Sequence, residues 1–160
     1  MNWIIFSNEC SGKTTFRNLN NGSIEKYEII DWDVIKSVPN SNYEYEILLI
    51  DLLIEASQTD NKIYLTNIQP PDFILECRDY YKNIRFGIVL VSEDVLLSNI
   101  EKRHHPNYNS EYIVENYNKL KNIVLTKNKN FSVFASFDGF VDYVFPKPSK
   151  LNITKRIIRL

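Results

Sequence analysis

The sequence has few of the features that mark specialised classes of protein. Its two cysteines, Cys10 and Cys77, have neither the spacing of metal ligands nor the pattern of a secreted disulfide framework. The net charge of −1 gives no overall basic field for nucleic acid or an anionic membrane, although Lys and Arg cluster in the second half of the chain. No apolar run approaches the length of a membrane span, and the first residues lack the charged start of a signal peptide. We therefore expect a cytoplasmic protein that does not bind membranes.

Glycine and alanine are also scarce, with only 4 glycines, whereas Asn, Ile, Lys and Tyr are abundant. This bias is typical of an AT-rich coding genome, such as that of a virus, a phage or a parasite, and carries no information about chemistry. The remaining composition, 44% hydrophobic and 24% charged, is that of a globular protein. The 160 residues predict one domain, which we place at residues 1–148, followed by a basic and apolar tail at residues 149–160.

Short apolar segments alternate with segments of helical character along the chain. The apolar segments predict five strands, at Trp3–Phe6, Tyr27–Ile30, Ile63–Leu65, Phe86–Val91 and Phe131–Ala135. Between them we predict helices at Lys13–Leu19, at Tyr43–Ser57, from a cap at Asp72 through Tyr81, from Ser92 onward, and at Tyr112–Val124. This alternation is typical of parallel βαβ units, which bind ligands beyond the carboxyl ends of their strands.

A candidate phosphate-binding loop, Ser7-Asn8-Glu9-Cys10-Ser11-Gly12-Lys13-Thr14, directly follows the first predicted strand. A loop that enters a helix holds phosphate well, because its free N–H groups converge and the helix dipole adds positive potential. Gly12 permits close approach of the backbone, Lys13 can reach the outer phosphates, and Thr14 can offer its hydroxyl to Mg²⁺. We predict that the nucleotide is held by Cys10, Ser11, Gly12, Lys13, Thr14 and Thr15.

Two residues depart from the usual pattern of such a loop. Ser7 stands where the pattern begins with glycine, and it fits only if the backbone there suits a residue with a Cβ atom. Glu9 lies inside the loop, where an inward carboxylate would repel phosphate, so we expect its side chain to face solvent.

In Ser11-Gly12-Lys13-Thr14-Thr15 and in the order of its elements, the chain resembles the P-loop kinases. This group contains nucleoside monophosphate kinases, polynucleotide 5′-hydroxyl kinases and shikimate or gluconate kinases. The resemblance covers roughly residues 1–145. It implies an α/β three-layer sandwich with a five-stranded parallel sheet, ATP and Mg²⁺ as cosubstrates, and a mobile lid, here at about residues 103–110.

An acidic pair, Asp31 and Asp33, follows the second predicted strand and resembles the pair that small P-loop kinases acting on hydroxyls keep there. A carboxylate at hydrogen-bond distance can orient a hydroxyl and accept its proton during attack on the γ-phosphoryl group. We predict that Asp33 is this base and that Asp31 helps to hold Mg²⁺ through water. The alternative is structural, with Asp31 capping a helix that begins at Trp32 and Asp33 as a surface charge.

Ile47–Asp51 resembles a strand that ends in a magnesium-binding aspartate, but the apolar run continues past Asp51 and favours a buried helix. The third predicted strand ends in Leu65-Thr66-Asn67, without a carboxylate. If Asp51 is helical, Mg²⁺ depends on Thr14, Asp31 and water.

Arg103 lies where P-loop kinases place the lid, so the resemblance implies that it stabilises the charge of the transferring phosphoryl group. The alternative is a solvated helix end. The adjacent His104 and His105 have no further ligand candidates near them in sequence, so we expect no metal site there. Residues that can contact an acceptor, or serve only in packing, are Asn67, Gln69, Tyr80, Tyr81, Tyr108, Tyr112 and Tyr117.

Three functions remain open from the sequence. The leading one is an ATP-dependent kinase whose acceptor is of the nucleic-acid type, whether a polynucleotide hydroxyl, a nucleoside or a nucleotide. The second is a small-metabolite hydroxyl kinase similar to the shikimate and gluconate kinases. The third is a degenerate kinase that binds nucleotide without transferring phosphate, which Ser7, Glu9 and the missing carboxylate after the third strand favour.

Overall fold

A computed structural model describes residues 1–35, 42–103, 110–127 and 131–147. Within these ranges the strands are β1 (Asn2–Ser7), β2 (Ser23–Ile24), β3 (Tyr27–Asp31), β4 (Lys62–Thr66), β5 (Ile84–Val89) and β6 (Ser132–Phe134). The helices in the same ranges are α1 (Lys13–Leu19), α2 (Trp32–Ile35), α3 (Asn42–Gln58), α4 (Phe73–Tyr80), α5 (Glu93–Arg103), α6 (Ser110–Lys127) and α7 (Phe137–Val144).

The strands form one sheet in the order β2-β3-β4-β1-β5-β6. Every neighbouring pair from β3 to β6 is parallel, so the predicted α/β fold with five parallel strands is confirmed. The two-residue strand β2 is an addition, and it pairs antiparallel with the start of β3 through a turn in which Glu25 has a φ of 49°. A strand of two residues is too short to produce a recognisable hydrophobic pattern, which explains why the sequence did not predict it.

The central strand β1 is buried on both faces, as its continuous apolar sequence predicts. Because side chains alternate along a strand, Trp3 and Ile5 join one core cluster while Ile4 and Phe6 join the other. Trp3 packs edge-on against Phe140 of α7, with ring centroids 5.3 Å apart. The cluster on the opposite face contains the buried side of α3, which includes Leu48, Leu49, Leu52, Leu53 and Ala56. Helices therefore cover both faces of the sheet.

Two local predictions on the helices have different outcomes. Asp51 lies within α3 and is exposed, so the helical interpretation of its segment is confirmed and it does not end a strand. Asp72 stands at the N-cap position of α4, but its side chain makes no capping hydrogen bond and instead pairs with Lys127 of α6. The predicted cap by the Asp72 side chain is therefore wrong, because the cation of a neighbouring helix competes for the carboxylate.

The register of the sheet brings the candidate residues to one edge. Phe6 is the partner of Thr66, and Asp31 is the partner of Leu65, so β1, β3 and β4 end at the same level. The segments that follow these ends are the loop after Ser7, the acidic pair and the β4–α4 connection. Among the described helices, none is both long and apolar enough to cross a membrane.

Candidate functional site

The loop after β1 takes a backbone conformation that its sequence permits. Ser7 is still part of β1 and does not have a positive φ, so a residue with a Cβ atom fits there without strain. The left-handed positions are Cys10, with a φ of 61°, and Gly12, with a φ of 98°. A Cβ atom built on Gly12 has no neighbour within 4 Å, so the backbone conformation and not a lack of space favours glycine at this position.

Hydrogen bonds to two helices fix this loop in place. The side-chain amide of Asn99, on α5, donates to the carbonyl of Cys10 at 2.7 Å. The side-chain amide of Asn8 donates in turn to the carbonyl of Ile113, on α6, at 3.0 Å. The Ser11 hydroxyl donates to the carbonyl of Asn8 at 2.5 Å. The loop is therefore held in shape before any ligand is bound, which lowers the ordering cost of binding.

Lys13 begins α1 and is buried, with its Nζ atom 3.4 Å from the carbonyl oxygen of Asn8. Burial lowers the pKa of Lys13, against the opposing effect of nearby carboxylates, of which Asp33 is the strongest. A desolvated ammonium group is a strong attractor for an anion, because little water screens its charge.

Asp33 is half-buried and fixed at the end of β4. Its Oδ1 atom accepts a hydrogen bond from the Thr66 hydroxyl at 2.9 Å, and its Oδ2 atom accepts one from the Asn67 backbone N–H at 2.7 Å. Burial raises the pKa of Asp33, while Lys13 and these two hydrogen bonds act in the opposite direction. Asp33 is therefore an oriented carboxylate next to Lys13, which argues against the alternative that it is a surface charge.

Asp31 lies at the end of β3, directly before the buried Trp32, whose indole N–H donates to the carbonyl of Leu48 at 3.3 Å. The Oδ1 atom of Asp31 is buried and has no hydrogen-bond partner within the described residues. Buried carboxylate oxygens normally have a partner, so this atom is open for an additional ligand.

Two cavities adjoin the loop, and different residues of the loop line each of them. The first, which we call the nucleotide cavity, has a volume of about 560 Å³ and is lined by Ser11, Gly12, Thr15, Phe16, Leu19, Asn20, Asn99, Lys102, Arg103, Ser136, Phe137 and Asp138. The second, which we call the acceptor cavity, has a volume of about 370 Å³ and is lined by Asn8, Glu9, Tyr45, Glu46, Leu49, Asn67, Ile68, Gln69, Pro70, Pro71, Tyr112, Asn116 and Lys119.

Asp33 adjoins the acceptor cavity. It is bonded to Asn67, which lines that cavity, and its charge acts on the hydroxyl of Tyr45 in the cavity wall. Burial, followed by the neighbouring Tyr112, Glu9 and Asp33, raises the pKa of Tyr45 to about 12. A bound hydroxyl compound in this cavity would thus lie beside Asn67, the partner of Asp33, and beside Asn8 and Glu9 of the loop.

The fold is found in proteins of known structure. A gluconokinase from Sinorhizobium meliloti 1021 superposes with a TM-score of 0.57 at 11% sequence identity, over 82% of this chain and 80% of that chain. A shikimate kinase from Bacteroides thetaiotaomicron superposes with a TM-score of 0.57 at 16% identity, over 85% and 86% of the two chains. The chain has the fold of the P-loop kinases. No protein-family model and no curated protein sequence matches it.

Within this P-loop kinase fold, only some of the residues predicted to bind nucleotide line the nucleotide cavity. Ser11, Gly12 and Thr15 line the nucleotide cavity, and Thr14 is exposed in the first turn of α1. Cys10 is buried and contributes its backbone to the loop. Arg103, at the end of α5, lines the same cavity and acts on the pKa of Lys13. The predicted lid at residues 103–110, with His104, His105 and Tyr108, lies outside the described residues apart from its two ends.

Glu9 does not behave as expected from the sequence. The side chain is half-buried and lines the acceptor cavity, and its charge acts on both Lys13 and Tyr45. The expectation that Glu9 points to solvent is met only in part, because the side chain is half-buried and lines a cavity. Ser11, Gly12 and Thr15 line the nucleotide cavity, and none of them lines the acceptor cavity with Glu9.

The candidate acceptor residues also separate. Asn67, Gln69 and Tyr112 line the acceptor cavity. In contrast, the Tyr117 hydroxyl donates to the carbonyl of Val91 inside the core, and Tyr80 is 86% exposed outside both cavities.

The cavity residues that the sequence did not reveal are Tyr45, Glu46, Asn116 and Lys119. They lie on α3 and α6. The periodicity of a helix in the sequence does not predict which of its side chains contact a second helix.

The residues present suit Mg²⁺ bound together with a nucleotide. Within the described ranges, no three His, Cys, Asp or Glu side chains are close enough to hold a metal ion by themselves. Thr14 and the unpartnered Oδ1 atom of Asp31 supply oxygen ligands of the kind that Mg²⁺ prefers. Phosphate oxygens and water complete such a site in other phosphate-binding loops.

Proposed function

We propose that the protein is an ATP-dependent kinase that transfers the γ-phosphoryl group to a hydroxyl acceptor of the nucleic-acid type. One observation carries this proposal: Asp33 is held by Thr66 and Asn67 beside both the acceptor cavity and the buried Lys13. Transfer to a hydroxyl needs a group that orients the hydroxyl and accepts its proton, and a fixed carboxylate at this position can do both.

Each residue has a defined part in this reaction. The backbone of the loop and Lys13 bind the outer phosphates and stabilise the charge that develops during transfer. Asp33 orients the acceptor hydroxyl and accepts its proton. Arg103 binds the nucleotide from the end of α5. Mg²⁺, held through Thr14 and Asp31, neutralises phosphate charge when it is bound.

The matched structures suggest a second acceptor class. Gluconokinase and shikimate kinase are named for small metabolites, so a small-metabolite hydroxyl is the alternative acceptor. The fold cannot decide between the two classes, because acceptor specificity in this fold depends on the side chains of the cavity.

The function is tested by two measurements. The melting temperature should rise with millimolar Mg-ATP, since a ligand that binds only the folded state stabilises it. ATP consumption should then be stimulated by one class in a panel of nucleosides, nucleotides, oligonucleotides, gluconate and shikimate. No thermal shift would overturn nucleotide binding. A thermal shift without stimulation by any acceptor would favour a protein that binds nucleotide and does not transfer phosphate.

A further inference from the structure

The acceptor cavity has an unusual distribution of charge for a protein that handles phosphate. Its charged lining residues in the described part of the chain are Glu9, Glu46 and Lys119. Glu9 is half-buried at the inner end, beside the loop, while Lys119 is exposed and its Nζ atom lies 3.5 Å from Glu115 Oε1. The inner end of the cavity is therefore acidic, and its one lysine is partly neutralised at the outer rim.

The negative charge at the inner end of the cavity also acts on Tyr45 in the cavity wall. Glu9 and Asp33 both contribute to the raised pKa of Tyr45, after burial and the neighbouring Tyr112. Negative potential therefore extends across the cavity from the loop to α3. A carboxylate or phosphate on a bound acceptor would meet this potential and would also lose its water of hydration.

The other walls suit an uncharged ring. Tyr45 and Tyr112 supply aromatic surface from α3 and α6, and their hydroxyls are hydrogen-bonded to each other. Ile68, Pro70 and Pro71 also line the cavity. Flat apolar surfaces of this kind contact both faces of a base, and the nearby amides of Asn67, Gln69 and Asn116 can bond its polar edge. The volume of about 370 Å³ matches a ligand of nucleoside size.

We propose that the acceptor is an uncharged nucleoside, and that Glu9 determines this specificity by rejecting acceptors that carry an additional phosphate or carboxylate group. This inference rests on the kinase function proposed above and narrows its acceptor class. It also gives a role to the unusual acidic residue in the loop. Glu9 lies on the acceptor side of the loop, so the nucleotide can bind the other side while an anionic acceptor is repelled.

The test compares 2′-deoxynucleosides with their 3′-monophosphates, because both members of each pair have a free 5′-hydroxyl. We expect kcat/KM to favour the nucleoside by about tenfold or more, and this preference should shrink as ionic strength increases. In Glu9→Gln the preference should fall several-fold, through a better KM for the 3′-monophosphate. In Glu46→Gln it should fall less, because Glu46 is exposed to water.

A matched control removes the same charge far from the cavity. Glu28 is exposed on β3, where it pairs with Lys62 at the start of β4, so Glu28→Gln should leave the preference unchanged. Faster phosphorylation of the 3′-monophosphate than of the nucleoside would overturn the proposal. An unchanged preference in Glu9→Gln would remove Glu9 from its specificity role.

Binding measurements separate this inference from the kinase function. Equilibrium dialysis in the presence of Mg-ADP compares the two ligands of each pair without requiring turnover. Tighter binding of the nucleoside supports the acceptor class even if transfer is absent, in which case only the kinase function fails. Tighter binding of the 3′-monophosphate contradicts the acceptor class, and the kinase function is then tested separately by acceptor-stimulated ATP consumption.

Discussion

The two cavities beside the loop differ in charge, although a few residues of backbone separate them. The nucleotide cavity is lined by Lys102 and Arg103 from the end of α5, together with one acidic residue, Asp138. The acceptor cavity is lined by Glu9 and Glu46, with its lysine at the rim. One side thus attracts an anion and the other repels it. A protein that must hold ATP on one side of the loop, and an uncharged hydroxyl compound on the other, needs this difference.

The residues that join the two sides are also arranged asymmetrically. Lys13 is buried within the loop, and Asp33 is the strongest of the carboxylates that act on it. Asn99 tethers the loop to α5 on the nucleotide side, while Asn8 tethers it to α6 on the acceptor side. A substitution at one of these positions should therefore affect one cavity more than the other. A substitution of Asp33 should affect the transfer step alone.

The largest effect is expected for Lys13→Ala. It removes the cation that binds the outer phosphates, so kcat/KM for ATP should fall about 10³-fold or more. The stabilisation by Mg-ATP should decrease in parallel, as measured by thermal unfolding. Lys82→Ala is the control, because Lys82 is exposed before β5, at the opposite end of the sheet from the loop. Equal effects of the two substitutions would show that the loss does not depend on the loop.

Asp33→Asn should impair phosphoryl transfer to the acceptor while both cavities keep their structure. The asparagine can still accept from the Asn67 N–H through its oxygen and donate to the Thr66 hydroxyl through its NH₂ group, but it cannot accept a proton. We expect kcat to fall by about 10² to 10³ with little change in the thermal shift caused by Mg-ATP. The control is Asp51→Asn, an identical change on the exposed face of α3, which should have no effect. Retained turnover in Asp33→Asn excludes Asp33 as the base.

The sequence singled out more of the residues in and beside the loop than of those that line the acceptor cavity. Lys13, Thr14 and Asp33 are recognisable because each follows a buried strand, and parallel strands bring their carboxyl ends together. The acceptor cavity instead depends on contacts between Tyr45 on α3 and Tyr112 on α6. Those contacts are set by helix packing, and a hydrophobic pattern identifies the buried face of a helix without identifying its neighbour.

The same limit applies to the loop itself. Its residue types predicted phosphate binding, but the direction of the Glu9 side chain depends on the φ of Cys10 and on the tethers from Asn8 and Asn99. These tethers join residues far apart in sequence, and the asparagine side chains that form them are not distinguishable by type from the many other asparagines of the chain.

A smaller effect is expected for Asn99→Ala, which removes only the tether on the nucleotide side. The carbonyl of Cys10 loses the hydrogen bond from Asn99, and the loop becomes less well ordered before binding. KM for ATP should rise about threefold to tenfold, corresponding to one hydrogen bond. The acceptor KM should change less. Asn83→Ala is the matched control, because Asn83 also donates to backbone carbonyls, those of Ala56 and Ser57, away from both cavities. A larger change in the acceptor KM would contradict the proposed division of the loop.

The smallest effect is a displacement of the pH profile, which tests the coupling between Lys13 and Asp33. Asp33 must be ionised to accept a proton, and burial raises its pKa, so kcat/KM should begin to fall at a higher pH than for an exposed aspartate as the solution is acidified. Lys13 must be protonated to bind phosphate, and burial lowers its pKa, so the alkaline loss should begin at a lower pH than for an exposed lysine.

Asp31→Asn provides the sharper form of this test. The Asp31 charge raises the pKa of Asp33, so its removal should move the acidic limb of the profile to lower pH. The same charge opposes the lowering of the Lys13 pKa, so the alkaline limb should also move to lower pH. Ionisation of ATP and of the acceptor is common to both enzymes and cancels in the comparison. A shift of the whole profile in one direction is the signature of one carboxylate acting on both groups, whereas limbs that move independently would show that they belong to other residues.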